Sequence, residues 1–471
     1  MKSKITLLFP LIIAALALLP TACIEDDVTT SPSAQPVFST DTLQMGEMFT
    51  GEQTPTYSFK VFNPNDKILR ISHIGLRQND GMFRLNVDGQ SGREFSDVEI
   101  RPHDSIYVMV TVVLPENGSW SPVDVENAVV FQTNGVTSEV ILAVEGQDVE
   151  RIRGRVIESD ETWLGDHPRQ VFDSLVVAEG ATLTLEAGTQ LYFHDGSYLR
   201  VRGTLITRGT YEAPVIMTGD RRGNVVTDIP FDLMSRQWEG VVFSPSSRAN
   251  RMEFTEIKNT WIGVVVDSVA YSEAEPSLSM TCCRLRNSAQ NVLQSRHSSI
   301  EAMSCEFAEA GAGSVYIEGG VMDFNYCTIS NYYLFSAITG PCLQLRHTGP
   351  SDDDASGQAY LRGQLNNSII YGMTADMSPT NLDDTDVYVR RCLLRSSGTD
   401  DLHFIGILWG EDPMWYTDRT AYIFDYQLKP DSPCLGQADT ALPAPPPTDF
   451  YGVARPSRPA IGAYQEKAGE S

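Results

Sequence analysis

Apolar and polar residues alternate in a short block that recurs along the second half of the chain. The block reads Cys-Arg-Leu-Arg-Asn at 283–287, Cys-Glu-Phe-Ala-Glu at 305–309 and Cys-Thr-Ile-Ser-Asn at 327–331, so each copy begins 22 residues after the last. The same column extends back to 255–259 and, at wider spacing, forward to 367–371 and 392–396. Alternation with period two is typical of a strand, and a strand that recurs at a fixed step buries its apolar face against its own copies. The pattern predicts stacked parallel strands, that is, a parallel β-helix.

A shorter period precedes this series. Leucines and glycines both recur there every eight residues, at Leu175, Leu183, Leu191 and Leu199 and at Gly180, Gly188 and Gly196. Each eight-residue segment predicts one strand and one tight turn in which the glycine takes a positive φ. We expect this octad series to close one end of the stack and the proline-rich tail to close the other, because open parallel edges invite pairing with other chains.

Residues 36–148 follow a different rhythm. Short alternating runs, such as 57–61, 83–87 and 129–132, each end at turn residues such as Asn-Pro, Asp-Gly or Asn-Gly. Strands of this length with such frequent turns predict an antiparallel β-sandwich of about seven strands. The predicted fold class is therefore all-β, with a β-sandwich at 36–148, a parallel β-helix at 150–465 and a tail at 466–471.

The first 22 residues have the three parts of a secretory signal: two lysines, an apolar run from Ile5 to Leu19, and small residues before Cys23. Residues 19–23, Leu-Pro-Thr-Ala-Cys, resemble the lipobox of bacterial lipoproteins, in which the cysteine thiol is acylated. Ordinary cleavage nearby, with Cys23 left as a free thiol, is the alternative. The acidic residues 24–27 resemble the surface-export signal of Bacteroidetes lipoproteins, and residues 23–35 as a whole are expected to form a lipidated, flexible tether. The resemblance implies an anchor at Cys23 in an outer membrane, with the body facing the cell exterior.

The two folded parts also resemble known families. The octad series that leads into the 22-residue series resembles the opening coils of right-handed β-helix proteins of the pectin-lyase-like superfamily. Residues 432–435, 449–456 and 461–464 are similar to the closing segment of many secreted β-helix proteins. The strand pattern of 36–148 is similar to immunoglobulin-like modules of bacterial surface proteins, which are usually spacers and sometimes bind ligands. These resemblances imply a fold and leave the function open, because such scaffolds carry many functions.

The charge balance narrows the range of partners. The chain has 61 acidic and 35 basic residues, which gives a net charge of −26. This excess disfavours nucleic acid and anionic lipid headgroups as partners. Solubility outside the cell is the simplest explanation of the acid excess, and an acidic site that attracts cations is the alternative.

Seven cysteines follow Cys23, namely Cys282, Cys283, Cys305, Cys327, Cys342, Cys392 and Cys434. Three of them begin the repeated blocks and share one inward column, where a cysteine acts as a small apolar residue. Stacked, reduced core thiols are therefore the favoured interpretation. A disulfide between adjacent coils and a metal site are the alternatives, although no histidine accompanies the column.

Enzymes of the pectin-lyase-like class use one of two kinds of catalytic group. Lyases of this class use Lys or Arg as the base beside a uronate whose charge a cation neutralises, and the hydrolases use a group of Asp residues as acid and base. Between 150 and 465 the lysines are Lys258 and Lys429 alone. Outward arginines such as Arg284 and Arg286 are expected to be ordinary solvated residues, so no catalytic residue is assigned.

A loop with Asp352, Asp353 and Asp354 offers the hard oxygen ligands that Ca²⁺ prefers. The spacing of these residues matches no known calcium-binding loop. A solvated acidic loop is the simpler interpretation, and no other cofactor or metal is expected.

Aromatic residues are better candidates for ligand contact, because flat rings stack on the faces of sugars. The candidates are Trp238, Trp261, Trp409, Trp415 and Tyr416, and the densest cluster spans 409–416. Packing in the core or at an end of the stack is the competing explanation for about half of them.

The favoured hypothesis is a non-catalytic surface lipoprotein whose β-helix serves in adhesion or glycan binding. Its partners would be the membrane, through the lipid anchor, and polysaccharide or surface proteins. One alternative is a polysaccharide lyase or glycoside hydrolase that acts on an acidic polysaccharide. A structural role in a cell-surface assembly is the other.

Overall fold

The computed structural model describes residues 27–226, 229–347 and 360–467. The chain divides into two compact units, of which the first comprises residues up to 45, 51–115 and 124–145 and the second comprises 46–50, 116–123 and the chain from 146 onwards. In the described residues both units consist of strands and loops, with one turn of 3₁₀ helix at Phe231–Leu233, so the predicted all-β class is confirmed. Within the described ranges, no helix is long and apolar enough to cross a membrane. The predicted signal sequence, Cys23 and the loop at 352–354 lie outside the described residues.

The first unit contains two sheets. Its strands are β1 (Val28–Thr29), β2 (Val37–Phe38), β3 (Thr42–Phe49), β4 (Tyr57–Phe62), β5 (Ile68–Leu76), β6 (Phe83–Val87), β7 (Gln90–Gly92), β8 (Glu94–Ile100), β9 (Ser105–Val112), β10 (Val123–Thr133) and β11 (Val136–Gln147). One sheet has the order β1-β5-β10-β11-β3 with β8 beside β5, and the other has the order β2-β4-β9-β6-β7. The runs predicted as strands at 57–61, 83–87 and 129–132 form parts of β4, β6 and β10.

The two sheets of the first unit share an apolar core. Along β9, the alternate residues Ile106, Val108, Val110 and Val112 are buried. Phe59 of one sheet and Phe131 of the other contact each other, with ring centroids 6.2 Å apart. The opposite face of each strand is left to polar or exposed residues, as expected where an antiparallel sheet is covered on one side.

The second unit is a long array of short strands that pair in parallel, except for one antiparallel pair, β20 with β21. They are β12 (Glu150–Ile157), β13 (Glu161–Trp163), β14 (Arg169–Val177), β15 (Thr182–Glu186), β16 (Gln190–Phe193), β17 (Tyr198–Val201), β18 (Thr204–Arg208), β19 (Val215–Gly219), β20 (Asn224–Val226), β21 (Ile229–Pro230), β22 (Gly240–Phe243), β23 (Asn250–Glu253), β24 (Thr255–Lys258), β25 (Val264–Asp267), β26 (Leu278–Thr281), β27 (Arg284–Ser288), β28 (Leu293–Arg296), β29 (Ser299–Met303), β30 (Glu306–Ala310), β31 (Val315–Glu318), β32 (Gly320–Asn325), β33 (Thr328–Asn331), β34 (Leu343–Arg346), β35 (Leu361–Asn366), β36 (Ile369–Gly372), β37 (Met377–Ser378), β38 (Asp386–Arg390), β39 (Leu393–Leu394), β40 (Phe404–Ile405) and β41 (Leu408–Trp409).

Successive passes of the chain lay these strands on three parallel stacks. The first stack has the order β13-β15-β18-β23-β26-β29-β32-β35-β38-β40. The second stack runs β16-β19-β24-β27-β30-β33-β36-β39-β41. The third stack runs β17-β22-β25-β28-β31-β34-β37. From β15 to β37 one pass therefore contributes one strand to each stack, whereas the longer β14 pairs with both β16 and β17. The inward residues of all three stacks form one apolar core.

The repeated block predicted from the sequence lies on the second stack. Its second residues are Cα partners in successive passes: Glu256, Arg284, Glu306 and Thr328. One part of the predicted alignment is wrong by one residue, because Thr328 pairs with Ile369 and the block at 367–371 therefore begins at Ser368. The inserted loop before β35 removed the fixed 22-residue step that set the alignment elsewhere.

The cysteines of this column are buried free thiols in the structure. The thiols of Cys283, Cys305, Cys327 and Cys392 each point to the carbonyl oxygen two residues earlier, at 3.3 to 3.5 Å. Burial raises the pKa of Cys392 to about 12. A neutral thiol that fills space and donates one weak hydrogen bond suits an inward column.

The octad series builds a complete coil and does not close an end, which corrects the expectation drawn from the sequence. Leu175 and Leu199 are Cα partners on neighbouring passes. Three octads, 24 residues in all, therefore make one full turn of the chain. Leu183 and Leu191 lie on the first and second stacks of the same turn. Two strands, β12 and β13, precede the series and pair with it.

The C-terminal segment, residues 412–467, lies along the side of the array, so the expectation that the tail closes the other end is also wrong. Asn367 donates from its side-chain nitrogen to the carbonyl oxygen of Asp439 at 3.1 Å. The hydroxyl of Ser304, which lies more than sixty residues before Asn367, donates a hydrogen bond to the carbonyl oxygen of Ala463 at 3.1 Å. These contacts lie two passes apart, so the segment spans several coils beside the second stack.

A row of charged side chains lies beneath this segment on the outward face of the second stack. We call it the charged strip, and it consists of Glu256, Lys258, Arg284, Arg286, Glu306 and Glu309. The prediction that Arg284 and Arg286 are solvated is wrong, because their side chains are only 10% and 13% exposed. They do point outward from the stack, as the alternation required, but the returning chain covers them.

Ion pairs run along the charged strip. Arg286 Nη2 lies 2.7 Å from Glu306 Oε1, and Arg284 Nη1 lies 3.5 Å from Glu256 Oε1. The guanidinium of Arg284 also lies 5.0 Å from the ring centroid of Phe450 in the C-terminal segment. Cations and carboxylates from neighbouring coils therefore compensate one another away from water.

Two tyrosines of the C-terminal segment complete the polar contacts of the strip. The hydroxyl of Tyr464 donates to Glu306, and the hydroxyl of Tyr426 donates to Glu309. The other oxygen of Glu309, Oε2, is buried without a hydrogen-bond partner. Burial and the neighbouring Glu306 raise the pKa of Glu309 to about 7, against the opposing effects of Arg286 and the Tyr426 hydroxyl.

This raised pKa predicts a stability that falls as the pH rises. Between about pH 4.5 and pH 7 the folded protein holds a proton on Glu309 that the unfolded chain has released, so raising the pH through this window favours unfolding. Replacing Glu309→Gln keeps the group neutral at every pH. We expect the variant to gain stability over the wild type between pH 5 and pH 8, by an amount on the order of 3 kcal/mol. Denaturant unfolding of both proteins at pH 5 and at pH 8 measures this difference in the free energy of unfolding.

The exposed Glu179 supplies the matched control. Glu179→Gln should leave the pH dependence of unfolding unchanged. A wild type and a Glu309→Gln variant whose stabilities change in parallel from pH 5 to pH 8 would contradict the assignment of the buried proton to Glu309.

Candidate ligand-binding site

The outward face of the first stack contains an open groove. Two adjoining clefts, of about 340 and 310 Å³, share Val321, Asp323 and Arg362 and so form one continuous depression. It crosses β29, β32, β35 and β38, which at about 4.8 Å between strands makes a track of roughly 14 Å. Loop residues 271–276 border one side of it. We call this feature the groove.

Strand register sets the polar floor of the groove. Glu301, Asp323, Gln364 and Tyr388 are Cα partners on four successive strands. The residues that alternate with them, such as Ala302 and Phe324, point inward and are buried. Because the inward positions must be apolar and the outward ones need not be, the stack carries a line of functional groups without disturbing its core.

A second outward row lies beside the first. Val321, Arg362 and Asp386 are Cα partners across β32, β35 and β38. Between the two rows on β35 lies Gly363, where a Cβ atom would come within 1.8 Å of the carbonyl oxygen of Met322. The absence of a side chain at Gly363 lets β35 approach β32 closely.

Hydrogen bonds orient the side chains of the first row. Asn325 Nδ2 donates to Asp323 Oδ1 at 2.7 Å, and Ser279 Oγ donates to Glu301 Oε2 at 3.3 Å. Arg390 Nη1 donates to Gln364 Oε1 at 3.2 Å. These bonds restrict the rotamers of the floor and leave further lone pairs and N–H groups for a ligand.

Tyr388 ends the row. Its ring is stacked against His403, with centroids 5.3 Å apart and planes 20° from parallel. The guanidinium of Arg390 lies 5.0 Å from the centroid of the same ring. The ring is therefore held in one orientation and remains partly exposed.

The groove has an acidic balance. Among the residues that the structure describes, the groove is lined by four carboxylates, from Glu273, Glu301, Asp323 and Asp386, and by one guanidinium, from Arg362. At neutral pH these groups repel an anionic polymer and attract neutral or amino-bearing ones. In the described ranges no three His, Cys, Asp or Glu residues are close enough to hold a metal ion.

Two of the aromatic residues predicted to contact ligand lie in cores instead. Trp238 is 1% exposed, and its ring is stacked on Phe193 with centroids 4.0 Å apart and planes 9° from parallel. Its indole N–H donates to the carbonyl oxygen of Lys258 at 2.8 Å. Trp415 is 6% exposed and packs edge-on against Tyr426 in the C-terminal segment. The prediction is wrong for both, because each ring is buried and fills space in a core.

The other three candidates are partly exposed but lie elsewhere. Trp261 is 39% exposed, beneath the guanidinium of Arg236. The indole N–H of Trp409 donates to Asp400 Oδ1 at 3.1 Å. Tyr416 has the ammonium of Lys429 5.5 Å from its ring centroid. None of the five predicted aromatic residues lines the groove.

The groove residues were missed, although the sequence contains a signal for them. Ser279, Glu301, Asp323 and Tyr388 each stand four residues before the first position of a repeated block, and Gln364 does so once that block begins at Ser368. A polar residue at that constant offset marks the outward face of the preceding strand.

Comparisons with known proteins give no family for this chain. No family model matches it, and no curated protein matches it. A family 123 glycoside hydrolase from Clostridium perfringens aligns with a TM-score of 0.17 and 7% identity over 24% of this chain and 25% of that one. The ASH/PapD-like domain 7 of human CEP192 aligns with a TM-score of 0.18 and 12% identity over 26% of this chain and 89% of that domain. The chain thus spans only a quarter of that hydrolase, and similarity this low carries no statement about fold or function.

The contrast between Trp238 and Trp261 is testable. Trp238→Ala should lower the free energy of unfolding by about 3–5 kcal/mol, because it empties a ring-sized space in the core. Trp261→Ala, at an exposed position, should lower it by less than about 1 kcal/mol. Urea unfolding monitored by circular dichroism measures both, and similar losses in the two variants would contradict the assignment of Trp238 to the core.

Proposed function

We propose that the protein is a surface lipoprotein in which an immunoglobulin-like module, residues 36–148, carries a right-handed parallel β-helix of the pectin-lyase-like kind, residues 150–465. In this proposal the helix binds a glycan in the groove and does not cleave it. The observation that carries the proposal is the continuous groove across four strands of the first stack, with its floor of aligned polar side chains. The one-strand-per-stack path of the chain and its 22- and 24-residue turns support the β-helix.

An extended carbohydrate suits this groove for three reasons. Its track is long and open at the surface, as an extended polymer requires. Its floor combines acceptors, such as Asp323, with groups that also donate, such as Gln364, and so can pair with sugar hydroxyls. Tyr388 offers a ring edge or face to a sugar, and aromatic residues commonly take this role in ligand sites. The acidic balance favours a neutral or amino-bearing glycan over an acidic one.

A retaining glycoside hydrolase is the second candidate, and one observation favours it. Glu301 and Asp323 are Cα partners on adjacent strands, and such strands lie about 4.8 Å apart, near the carboxylate separation of about 5–5.5 Å used by retaining enzymes. Against it, Glu301 is exposed to solvent, whereas a general acid is usually held protonated by an apolar pocket. The acidic groove also opposes the acidic substrates expected from the pectin-lyase-like resemblance.

Binding to a glycan panel tests this function. The full-length protein in detergent should bind neutral or amino-bearing polysaccharides, such as xylan or chitosan, and added polygalacturonate should not displace bound xylan. Tyr388→Ala should weaken that binding by roughly 3- to 10-fold, the loss expected for one aromatic contact. Tyr316, a partly exposed tyrosine on the third stack, gives the matched control, and Tyr316→Ala should bind as the wild type does.

Chemical analysis of the bound glycan separates the two candidates. Intact polymer after long incubation supports binding alone. New reducing ends that disappear in Glu301→Gln would replace the binding proposal with the hydrolase. A panel without any bound glycan would refute both.

The proposed anchor has its own test. Cells fed an alkyne fatty acid should label the wild-type protein, and the label should be absent from Cys23→Ser and present in Cys434→Ser, where a buried cysteine is changed. Proteinase added to intact cells should degrade the labelled protein if it faces the exterior. Equal labelling of Cys23→Ser and the wild type would rule out acylation at this thiol.

A further inference from the structure

One sheet of the first unit lacks the acidic residues that dominate the chain. The strands of the β2-β4-β9-β6-β7 sheet contain no Asp or Glu at all, whereas those of the opposite sheet contain eight: Glu47, Glu94, Asp97, Glu99, Asp124, Glu126, Glu139 and Glu145. A chain with 61 acidic residues would be expected to place some on every exposed strand. The exclusion of carboxylates therefore marks this face as chemically distinct.

The outer side of this sheet carries cations and exposed apolar groups instead. We call it the basic face, and its members are Lys60, Phe62, Arg84, Arg93, Tyr107 and Met109. Tyr107 is 46% exposed, Met109 40% and Phe62 37%. Beside them, a cleft of about 620 Å³ is lined by both arginines. Exposed apolar groups gathered in one patch mark interaction sites more often than scattered ones do.

The cations of the basic face are not neutralised internally. Within the part of the chain that the structure describes, no carboxylate lies within ion-pair distance of Lys60, Arg84 or Arg93. Arg70 and Arg77 on the opposite sheet, by contrast, pair with Glu99 and Glu139 at 2.6 and 2.7 Å. Lys60 instead lies over a ring, with Nζ 5.1 Å from the centroid of Tyr107. The positive charge of this face is left for an external partner.

Strand register spreads these groups along a line. Lys60 on β4 and Tyr107 on β9 are Cα partners, as are Thr111 on β9 and Arg84 on β6. The two cations thus stand two strand spacings apart, roughly 10 Å, and are offset by four residues, roughly 13 Å, along the strands, so they are separated by about 17 Å. Such spacing suits an extended chain that crosses the strands and carries anionic groups at intervals.

We propose that the basic face binds an anionic polysaccharide. Lys60, Arg84 and Arg93 contact its carboxylate or sulfate groups, and Tyr107 packs against a sugar ring. The choice of a polysaccharide over a lipid surface or nucleic acid rests on the proposed location outside the cell. The site is separate from the groove and has the opposite charge preference, so it makes the first unit a binding module and not only a spacer.

The test uses the full-length protein in detergent with polygalacturonate and chondroitin sulfate as probes. The wild type should bind both, and binding should weaken as sodium chloride rises from 50 to 300 mM, because the contacts are ionic. The double variant Lys60→Gln/Arg84→Gln should lose at least about tenfold in affinity, as expected when two charged hydrogen-bond donors are removed. Tyr107→Ala should weaken binding and leave its salt dependence unchanged.

A charge-matched control is available on the opposite sheet. Arg70→Gln/Arg77→Gln removes the same number of charges and should bind as the wild type does. Tyr388→Ala in the groove should also bind these anionic probes normally, so failure here and failure of the proposed groove function are distinguishable. Thermal unfolding of every variant checks that the substitutions have not unfolded the protein.

Several results would overturn the proposal. Unchanged affinity in Lys60→Gln/Arg84→Gln, or an equal loss in Arg70→Gln/Arg77→Gln, would show that the basic face is not the site. Equal or tighter binding to anionic lipid vesicles or duplex DNA would assign the face to another class of polyanion. A dimer that dissociates only in the basic-face variant would make the face an interface between copies of the chain.

Discussion

Parallel hydrogen bonding between successive passes of the chain determines where almost every side chain of the second unit lies. Once one pass is paired in register with the next, a residue type chosen at one position recurs as a column about 4.8 Å apart. Inward columns then have to be apolar or small, which gives Cys283, Cys305 and Cys327 their places in the core. Outward columns are free of this requirement, and Glu301, Asp323, Gln364 and Tyr388 form one of them. The core and the groove are two consequences of one register.

The charged strip shows what happens when an outward column is covered. Removing charges such as Arg284 and Glu306 from water is expensive, and their mutual attraction compensates only if the remaining polar atoms also find partners. The hydroxyls of Tyr426 and Tyr464 meet part of that need. A segment without such groups would leave the carboxylates unsatisfied, so the strip specifies which chain can lie there. We infer that the charges serve the position of the C-terminal segment more than the stability of the fold.

Within the charged strip, Glu309 both occupies a turn position and contacts the C-terminal segment. It takes the positive-φ position of the turn, with φ of 53°, where the neighbouring passes have Asn259 and Asn287 at 66° and 55°. Asn287 donates from its side-chain nitrogen to the carbonyl oxygen of Asp232 at 3.0 Å, a partner on an earlier pass of the chain. Glutamate reaches further, to Tyr426 in the C-terminal segment. The break in the asparagine column is therefore explained by a contact distant in sequence.

The sequence predicted those features of the fold that depend on local alternation of apolar and polar residues and on a constant repeat length. It identified the all-β class, the strand blocks and the shared column of Cys283, Cys305 and Cys327, because a buried face imposes the same requirement at every pass. It failed where a distant segment or a variable loop decides. The register at Ser368 followed an inserted loop, the burial of Arg284 depended on chain more than a hundred residues later, and Trp238 satisfied its indole N–H inside the core. The groove could have been found from the polar residues four positions before each block, but whether an outward column is covered or open follows only from the path of the rest of the chain.

Acidic residues are distributed unequally between the two sheets of the first unit. If the net charge of −26 served solubility alone, carboxylates would be scattered over every solvated face. They are abundant on one sheet of the first unit and absent from the strands of the other, where exposed Tyr107 and Met109 replace them. Solubility cannot account for that asymmetry, because exposed rings and methionines reduce it. A face that forgoes carboxylates in so acidic a chain, and leaves its cations unpaired, has the properties required to bind an anion without repelling it at close range.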